Sequence, residues 1–407
     1  MKINAERLQK SMEEMARIGA TPGGGVHRLT LTDADREARD LFKGWAGEAG
    51  LAVSVDEMGN MFARREGSEN SAAPVMAGSH LDSVPNGGRF DGSLGVLGAL
   101  EAVRSLNDQS VSTRRPIEIV NWTNEEGPRF PPSMLGSGVF AGAFGRDFAY
   151  EVRDSDEKRF VDELERIGYR GEVPCRPRPI AAYLELHVEQ GPALIAQGAR
   201  IGIVEGIQGL TWMRAVMTGE RDHAGPTPMN TRRDALVGAA RAILAIRGIS
   251  GEIAGLVATV GEMSVAPGAI NVIPGRAEFS VDIRHREESS LKRAEEAVRA
   301  AVREAAEGEN LDLEIIPLGG STPIAFDPGV TGAIEAACEA GGHSRLRLWS
   351  AAGHDARYAA DLCPSAMIFV PSVGGKSHAE DELTTWEDTA RGTEVLAGAL
   401  LALADKD

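Results

Sequence analysis

PVMAGSHLDSVPNGGRFDGSLGVLGALEAVRSL, residues 74–106, reads as a short apolar strand, a glycine-rich turn and a helix. The strand covers 74–79 and stops at His80; the helix covers 94–106. Apolar runs at 117–123, 183–189 and 366–370 repeat the strand pattern, and helical patterns lie between the strands. One of these is 32–48, opened by Thr32 or Asp33 with acidic residues in its first turn. Strands alternating with helices predict an α/β fold with a mainly parallel mixed sheet flanked by helices.

The rhythm changes between residues 209 and 320. The order there is strand 210–218, helix 232–247, strands 255–263 and 276–284, helix 288–307 and strand 311–318. That β-α-β-β-α-β order is ferredoxin-like. In the last helix Ser289 or Ser290 is the expected N-cap, and Leu291, Ala294, Val298 and Val302 share one face. The expected organisation is a discontinuous domain, 1–208 with 321–407, carrying an inserted domain at 209–320.

A chain of 407 residues exceeds one ordinary core, in keeping with two domains. A composition 43% apolar and 25% charged is that of a soluble globular protein. A net charge of −17 argues against nucleic acid and acidic membrane surfaces as partners. The N-terminus has no apolar signal region, and no uncharged run nears the roughly 18 residues of a membrane span. Cys175, Cys338 and Cys363 are odd in number and far apart, the pattern of reduced packing thiols in a cytoplasmic protein.

Four glycine-rich groups follow strand ends, where open α/β sheets collect their ligands. They are Gly78–Ser83 with Gly87–Gly92, Asn124–Gly127, His187–Gly191 and Gly374–Ala379. Taken singly, a His or Glu is commonly a surface or hydrogen-bonded residue, and His27, His285 and His343 are read so. Together the groups bring His80, Asp91, Glu125, Glu126, His187 and His378 into play. A pair of borderline cations needs imidazole and carboxylate ligands, and one carboxylate can bridge both ions. Of the adjacent Glu125 and Glu126, one can ligate while the other handles protons. Asp82, two residues beyond His80, lies on the same side of an extended chain and could hold the second imidazole nitrogen.

Several long motifs carry a resemblance. They are GSHLDSVPNGGRFDG (78–92), NEEGPRFPPSMLGSGVFAG (124–142), LELHVEQGP (184–192), DHAGPTPM (222–229), GAINVIPG (268–275) and GGKSHAEDE (374–382). In this order they resemble the M20-like dinuclear metallopeptidase clan. More narrowly they are similar to its ureidohydrolase branch: N-carbamoyl-L-amino acid hydrolases, β-ureidopropionases and allantoate amidohydrolases. The HVEQG motif sets this branch apart from most peptidases of the clan, whose corresponding ligand is usually a carboxylate.

The resemblance implies two divalent ions, zinc, manganese, cobalt or nickel. His80 and His187 would hold one, Glu126 and His378 the other, and Asp91 both; Glu125 would be the general base. It further implies substrate contacts at Gln190, His223, Asn271, Arg284 and Gly353, with His223 also serving the oxyanion. It implies a homodimer through the inserted domain, with His223, Asn271 and Arg284 reaching the partner's site. The expected reaction is hydrolysis of a small ureido substrate, an N-carbamoyl-L-amino acid before allantoate or N-carbamoyl-β-alanine. An aminoacylase or peptidase of the same clan is the more distant reading.

Overall fold

The computed structural model describes residues 1–406. In the first half of the chain the strands are β1 (Ala52–Val55), β2 (Met61–Arg65), β3 (Val75–His80), β4 (Ile117–Trp122), β5 (Ala182–Val188) and β6 (Ile201–Ile207). Next come β7 (Gly209–Thr218), β8 (Asp222–His223), β9 (Val257–Thr259), β10 (Met263–Ala266), β11 (Val272–Ile273), β12 (Arg276–His285) and β13 (Asp312–Ser321). The last are β14 (Ile324–Ala325), β15 (Arg345–Ser350) and β16 (Ser365–Val370). The chain divides into two compact units, Met1–Glu205 with Phe326–Asp407, and Gly206–Ala325.

A nine-stranded mixed sheet runs β1-β2-β4-β3-β5-β16-β6-β14, with β15 branching from β6. Its four central strands, β4, β3, β5 and β16, are parallel, and the pairs β1–β2, β2–β4, β16–β6 and β6–β14 are antiparallel. Each central strand is buried throughout, which is why each reads as a largely apolar run rather than an alternation. Helix Ser93–Asp108 lies against β3 and β5, and helix Trp386–Ala404 packs on that helix and on β16. Helix Asp33–Glu48 starts where Thr32 accepts the Asp35 N–H, and it keeps acidic residues in its first turn. Because the parallel strands point one way, their carboxyl ends open into loops on one edge of the sheet.

In the second unit β10-β12-β7-β13 form an antiparallel sheet, with β9 also paired to β12. Helices Ala235–Glu252 and Glu288–Glu307 pack on each other and on this sheet, around Ala239, Ile246, Phe279, Val298 and Val302. Three local expectations need correction. Helix Ala235–Glu252 begins later than residue 232, because Asp234 caps it by accepting the Leu236 and Val237 N–H groups. The expected strand 255–263 is two short strands broken at 260–262. Helix Glu288–Glu307 has Glu287 at its N-cap, not a serine, and the Ser290 hydroxyl donates to the Glu287 carboxylate instead. No helix among the described residues is long and apolar enough to cross a membrane.

β3 and β4 come together so closely that a Cβ on Gly78 would lie 1.9 Å from the Val120 carbonyl oxygen. Gly78→Ala therefore forces the two central strands apart. The expected loss is about 1–3 kcal/mol, the usual cost of overpacking. It should appear as a lower denaturant midpoint for the unit holding the nine-stranded sheet; an unchanged midpoint would contradict this packing.

Candidate active site

The four parallel strands deliver the polar groups. His80 is the last residue of β3, His187 lies near the end of β5, Glu125 and Glu126 follow β4, and His378 follows β16. Asp91 sits in the turn that leads from β3 into helix Ser93–Asp108. Gly92 makes that turn possible: its φ is +62°, and a Cβ there would stand 2.3 Å from His80 Cε1. His80, Asp91, Glu125 and His187 are all buried, whereas the His378 side chain is 53% exposed.

The two oxygens of Asp91 face different groups. Oδ1 lies 3.0 Å from His187 Nε2 and 3.7 Å from His80 Nε2. Oδ2 lies 3.6 Å from His378 Nε2, which is itself 3.5 Å from Glu126 Oε2. Two sets of ligand-type atoms thus meet at one carboxylate: His80, Asp91 and His187, and Asp91, Glu126 and His378. Glu125 Oε2 lies 3.5 Å from His80 Nε2, beside both sets.

The outer hydrogen bonds determine what the inner atoms can do. His80 Nδ1 is 2.9 Å from the Asp82 carbonyl oxygen, and His187 Nδ1 is 2.9 Å from the Val188 carbonyl oxygen. A carbonyl only accepts, so Nδ1 donates in both rings, and in a neutral ring Nε2 then holds a bare lone pair. Both lone pairs point toward carboxylate oxygens, an arrangement that calls for a cation between them. Without one, a proton takes the place: although burial opposes it, Asp91 raises His187 to about 9. Against its own burial, Asp91 is held well below the usual carboxylate range by His187. Burial, then Asp355 and Glu126, push Glu125 well above its ordinary value; burial and then Asp91 do the same to Glu126. The site carries more buried negative charge than it can neutralise, and the donor set fits divalent ions.

The Asp82 carboxylate does not itself hold the His80 ring. It stands 3.7 Å from Nδ1 and accepts the Glu125 and Glu126 N–H groups and the Thr30 hydroxyl instead. It therefore shapes the turn that presents the two glutamates. Gln190, with φ +59°, donates from Nε2 to Asp91 Oδ2 at 2.9 Å, and its Oε1 is buried without a partner. Gly353 lies in the loop after β15, where a Cβ would come within 3.1 Å of Met134 Cε.

His223, Asn271 and Arg284 belong to the second unit. His223 and Asn271 adjoin through the β8–β11 ladder, where His223 pairs with Val272 and the Ala224 N–H donates to the Asn271 carbonyl. The exposed His223 ring accepts the Gly225 N–H at Nδ1, so its Nε2 carries the proton outward. Arg284 stands apart on β12, where Asp282 takes its Nε and Nη2 at 3.0 and 2.7 Å.

Several neighbours of the site escaped the sequence reading. The buried His354 ring meets His187 edge-on at 4.5 Å, and its Nε2 lies 3.1 Å from Ser350 Oγ. Glu185, on the same face of β5 as His187, accepts the Ser79 hydroxyl and the Ala356 N–H. The available signal was a glutamate inside an otherwise apolar strand, and a histidine directly after Gly353. His27 and His285 bond elsewhere, to Asn86 and to Ala254, and His343 lies beside Glu394.

Residues 76–402 match the profile of peptidase family M20/M25/M40. Over 405 residues the chain is 44% identical to the N-carbamoyl-L-amino-acid amidohydrolase of Rhizobium meliloti, spanning 99% of this chain and 97% of that one. It is 40% identical to the N-carbamoyl-L-amino acid amidohydrolase of Geobacillus stearothermophilus, over 99% of both chains. A crystal structure from Burkholderia multivorans, an amidase of the hydantoinase/carbamoylase family, superposes with a TM-score of 0.97 at 49% identity. It covers 100% of this chain and 99% of that one.

Since Asp91 faces both ligand sets, Asp91→Ala should abolish uptake of divalent ions at both. Metal analysis of protein prepared without chelator checks this: full metal content in the variant would show that the carboxylate serves neither ion.

Proposed function

The chain belongs to peptidase family M20/M25/M40, and from that premise we propose that it hydrolyses the carbamoyl C–N bond of N-carbamoyl-L-amino acids. The products are the amino acid, ammonia and carbon dioxide. The observation that carries this reading is end-to-end similarity to N-carbamoyl-L-amino-acid amidohydrolases. His80, His187 and Asp91 would hold one divalent ion, and Asp91, Glu126 and His378 the other; zinc, manganese, cobalt and nickel all suit such ligands. Bound ions supply Lewis acidity, polarising the ureido carbonyl and lowering the pKa of water toward about 7.

The protein's own groups do the rest. Glu125, beside both ligand sets, takes the proton of the attacking water and returns it to the leaving nitrogen. The His223 Nε2–H, fixed in that tautomer by Gly225, donates to the oxyanion that forms on the attacked carbonyl. Gln190 offers its unpartnered Oε1 to a substrate N–H, and Asn271 and Gly353 line the substrate. Arg284 receives the substrate carboxylate with its planar fork. The segment 209–320 acts as a ferredoxin-like insert in the catalytic domain formed by 1–208 and 321–407, supported by the β10-β12-β7-β13 strand order. It joins two copies into a homodimer, so that His223, Asn271 and Arg284 serve the partner's site. Three unpaired cysteines fit a reducing, cytoplasmic setting.

Ammonia release from a panel of N-carbamoyl-L- and D-amino acids, N-carbamoyl-β-alanine and allantoate tests the activity. The L-amino acid derivatives should turn over fastest, and a clear preference for allantoate or the β-alanine derivative would replace this substrate. On the best substrate Glu125→Gln should bind metal normally yet lose roughly 10²–10⁴ in kcat, as expected for a missing acid–base group. Metal loss with Glu125→Gln but retention with Glu126→Gln would mean that their roles are exchanged.

Sharing of the site between subunits has its own test. Inactive Arg284→Ala chains are mixed with inactive Glu125→Gln chains under conditions that let dimers exchange. Acting in trans, Arg284 leaves each mixed dimer with one intact site, so up to about a quarter of wild-type activity returns. No recovery in verified mixed dimers would place Arg284 in its own chain's site.

A further inference from the structure

The two ligand sets are built differently. His80 and His187 project from buried strands. His378 instead stands on a loop, half exposed, with a left-handed φ of +52° that a histidine does not favour. Something must hold that loop against Asp91. Glu382, 3% exposed, is placed to do so. Its Oε1 accepts the Asp91 N–H at 3.1 Å, and its Oε2 accepts the Ser377 hydroxyl at 2.7 Å. Ser377, next to His378, also lies 3.2 Å from Asp91 Oδ2. One buried carboxylate thereby ties the Asp91 turn to the His378 loop, residues separated by most of the chain. The turn is shaped to admit it: a Cβ on Gly88 would stand 2.1 Å from Glu382 Oε1.

We infer that Glu382 is a positioning residue that keeps His378 and Asp91 in register, so that retention of the outer cation depends on it while the inner cation does not. The inference rests on the reading of Asp91, Glu126 and His378 as cation ligands. Glu382 belongs to neither set of ligand-type atoms; it acts by fixing where two of their members stand. Loss of such a supporting group typically weakens metal binding by roughly 10–100-fold.

The test is calorimetric titration of zinc into metal-free full-length protein, with folding followed by circular dichroism. Wild type should take up two ions. Glu382→Ala should weaken one of them by roughly 10–100-fold and leave the other within about threefold. Glu382→Gln keeps an oxygen for the Asp91 N–H and should restore most of the affinity. Ser377→Ala, on the half-buried loop, should weaken the same ion to a smaller extent, and it carries the test if Glu382→Ala does not fold. Equal weakening of both ions, or no change at either, overturns the inference. A wild-type protein that takes up no zinc overturns the cation reading itself, and the inference with it.

Discussion

Asp91 presents one carboxylate oxygen to the imidazoles of His80 and His187 and the other to that of His378. Two of those imidazoles are committed, through Nδ1, to main-chain carbonyls. Their remaining nitrogens and the carboxylates beside them cannot satisfy each other in a buried setting unless positive charge stands between them. Much of the local structure serves that demand. Gly92 gives up its side chain so that the Asp91 turn can pass under the His80 ring, and Gly88 does the same for Glu382.

The acidic surroundings follow the same logic. Glu125, Glu126, Glu185, Asp355 and Glu382 are all driven up by burial. Such a concentration of buried carboxyls costs stability in a protein that lacks a compensating cation. Glu126, Glu185, Asp355 and Glu382 accept main-chain N–H groups or hydroxyls, whereas Glu125 is placed through its own main-chain N–H, which donates to Asp82. The Glu125 carboxyl itself stands 3.5 Å from His80 Nε2.

The second unit contributes groups of a different kind. His223 is exposed, with its tautomer fixed by a local N–H, and Arg284 is steadied by Asp282, which also accepts the Trp212 indole N–H.

The α/β class, the central strands and the glycine-rich ligand groups were legible in the sequence because each is local. Strands buried on both faces read as apolar runs, and a histidine or acid directly after such a run marks a strand end. The helix from 288 to 307 was legible for the same reason, through its apolar face. What escaped was whatever depends on a second segment of chain. Asp82 lies two residues from His80, yet it is the carbonyl that meets the ring, because the carboxylate is drawn to the N–H groups of Glu125 and Glu126. Glu287 displaced a serine at the helix cap, and Asp234 moved a helix start, through side-chain geometry that periodicity does not encode. His354, Glu185 and Glu382 gain meaning only from neighbours far along the chain: His187 beside the first, Ala356 on the second and Asp91 on the third. Sequence by itself determined which residue types stand at the strand ends. Only the tertiary structure decided which oxygen faces which ring, because hydrogen-bond partners drawn from different strands are set by sheet order and not by spacing along the chain.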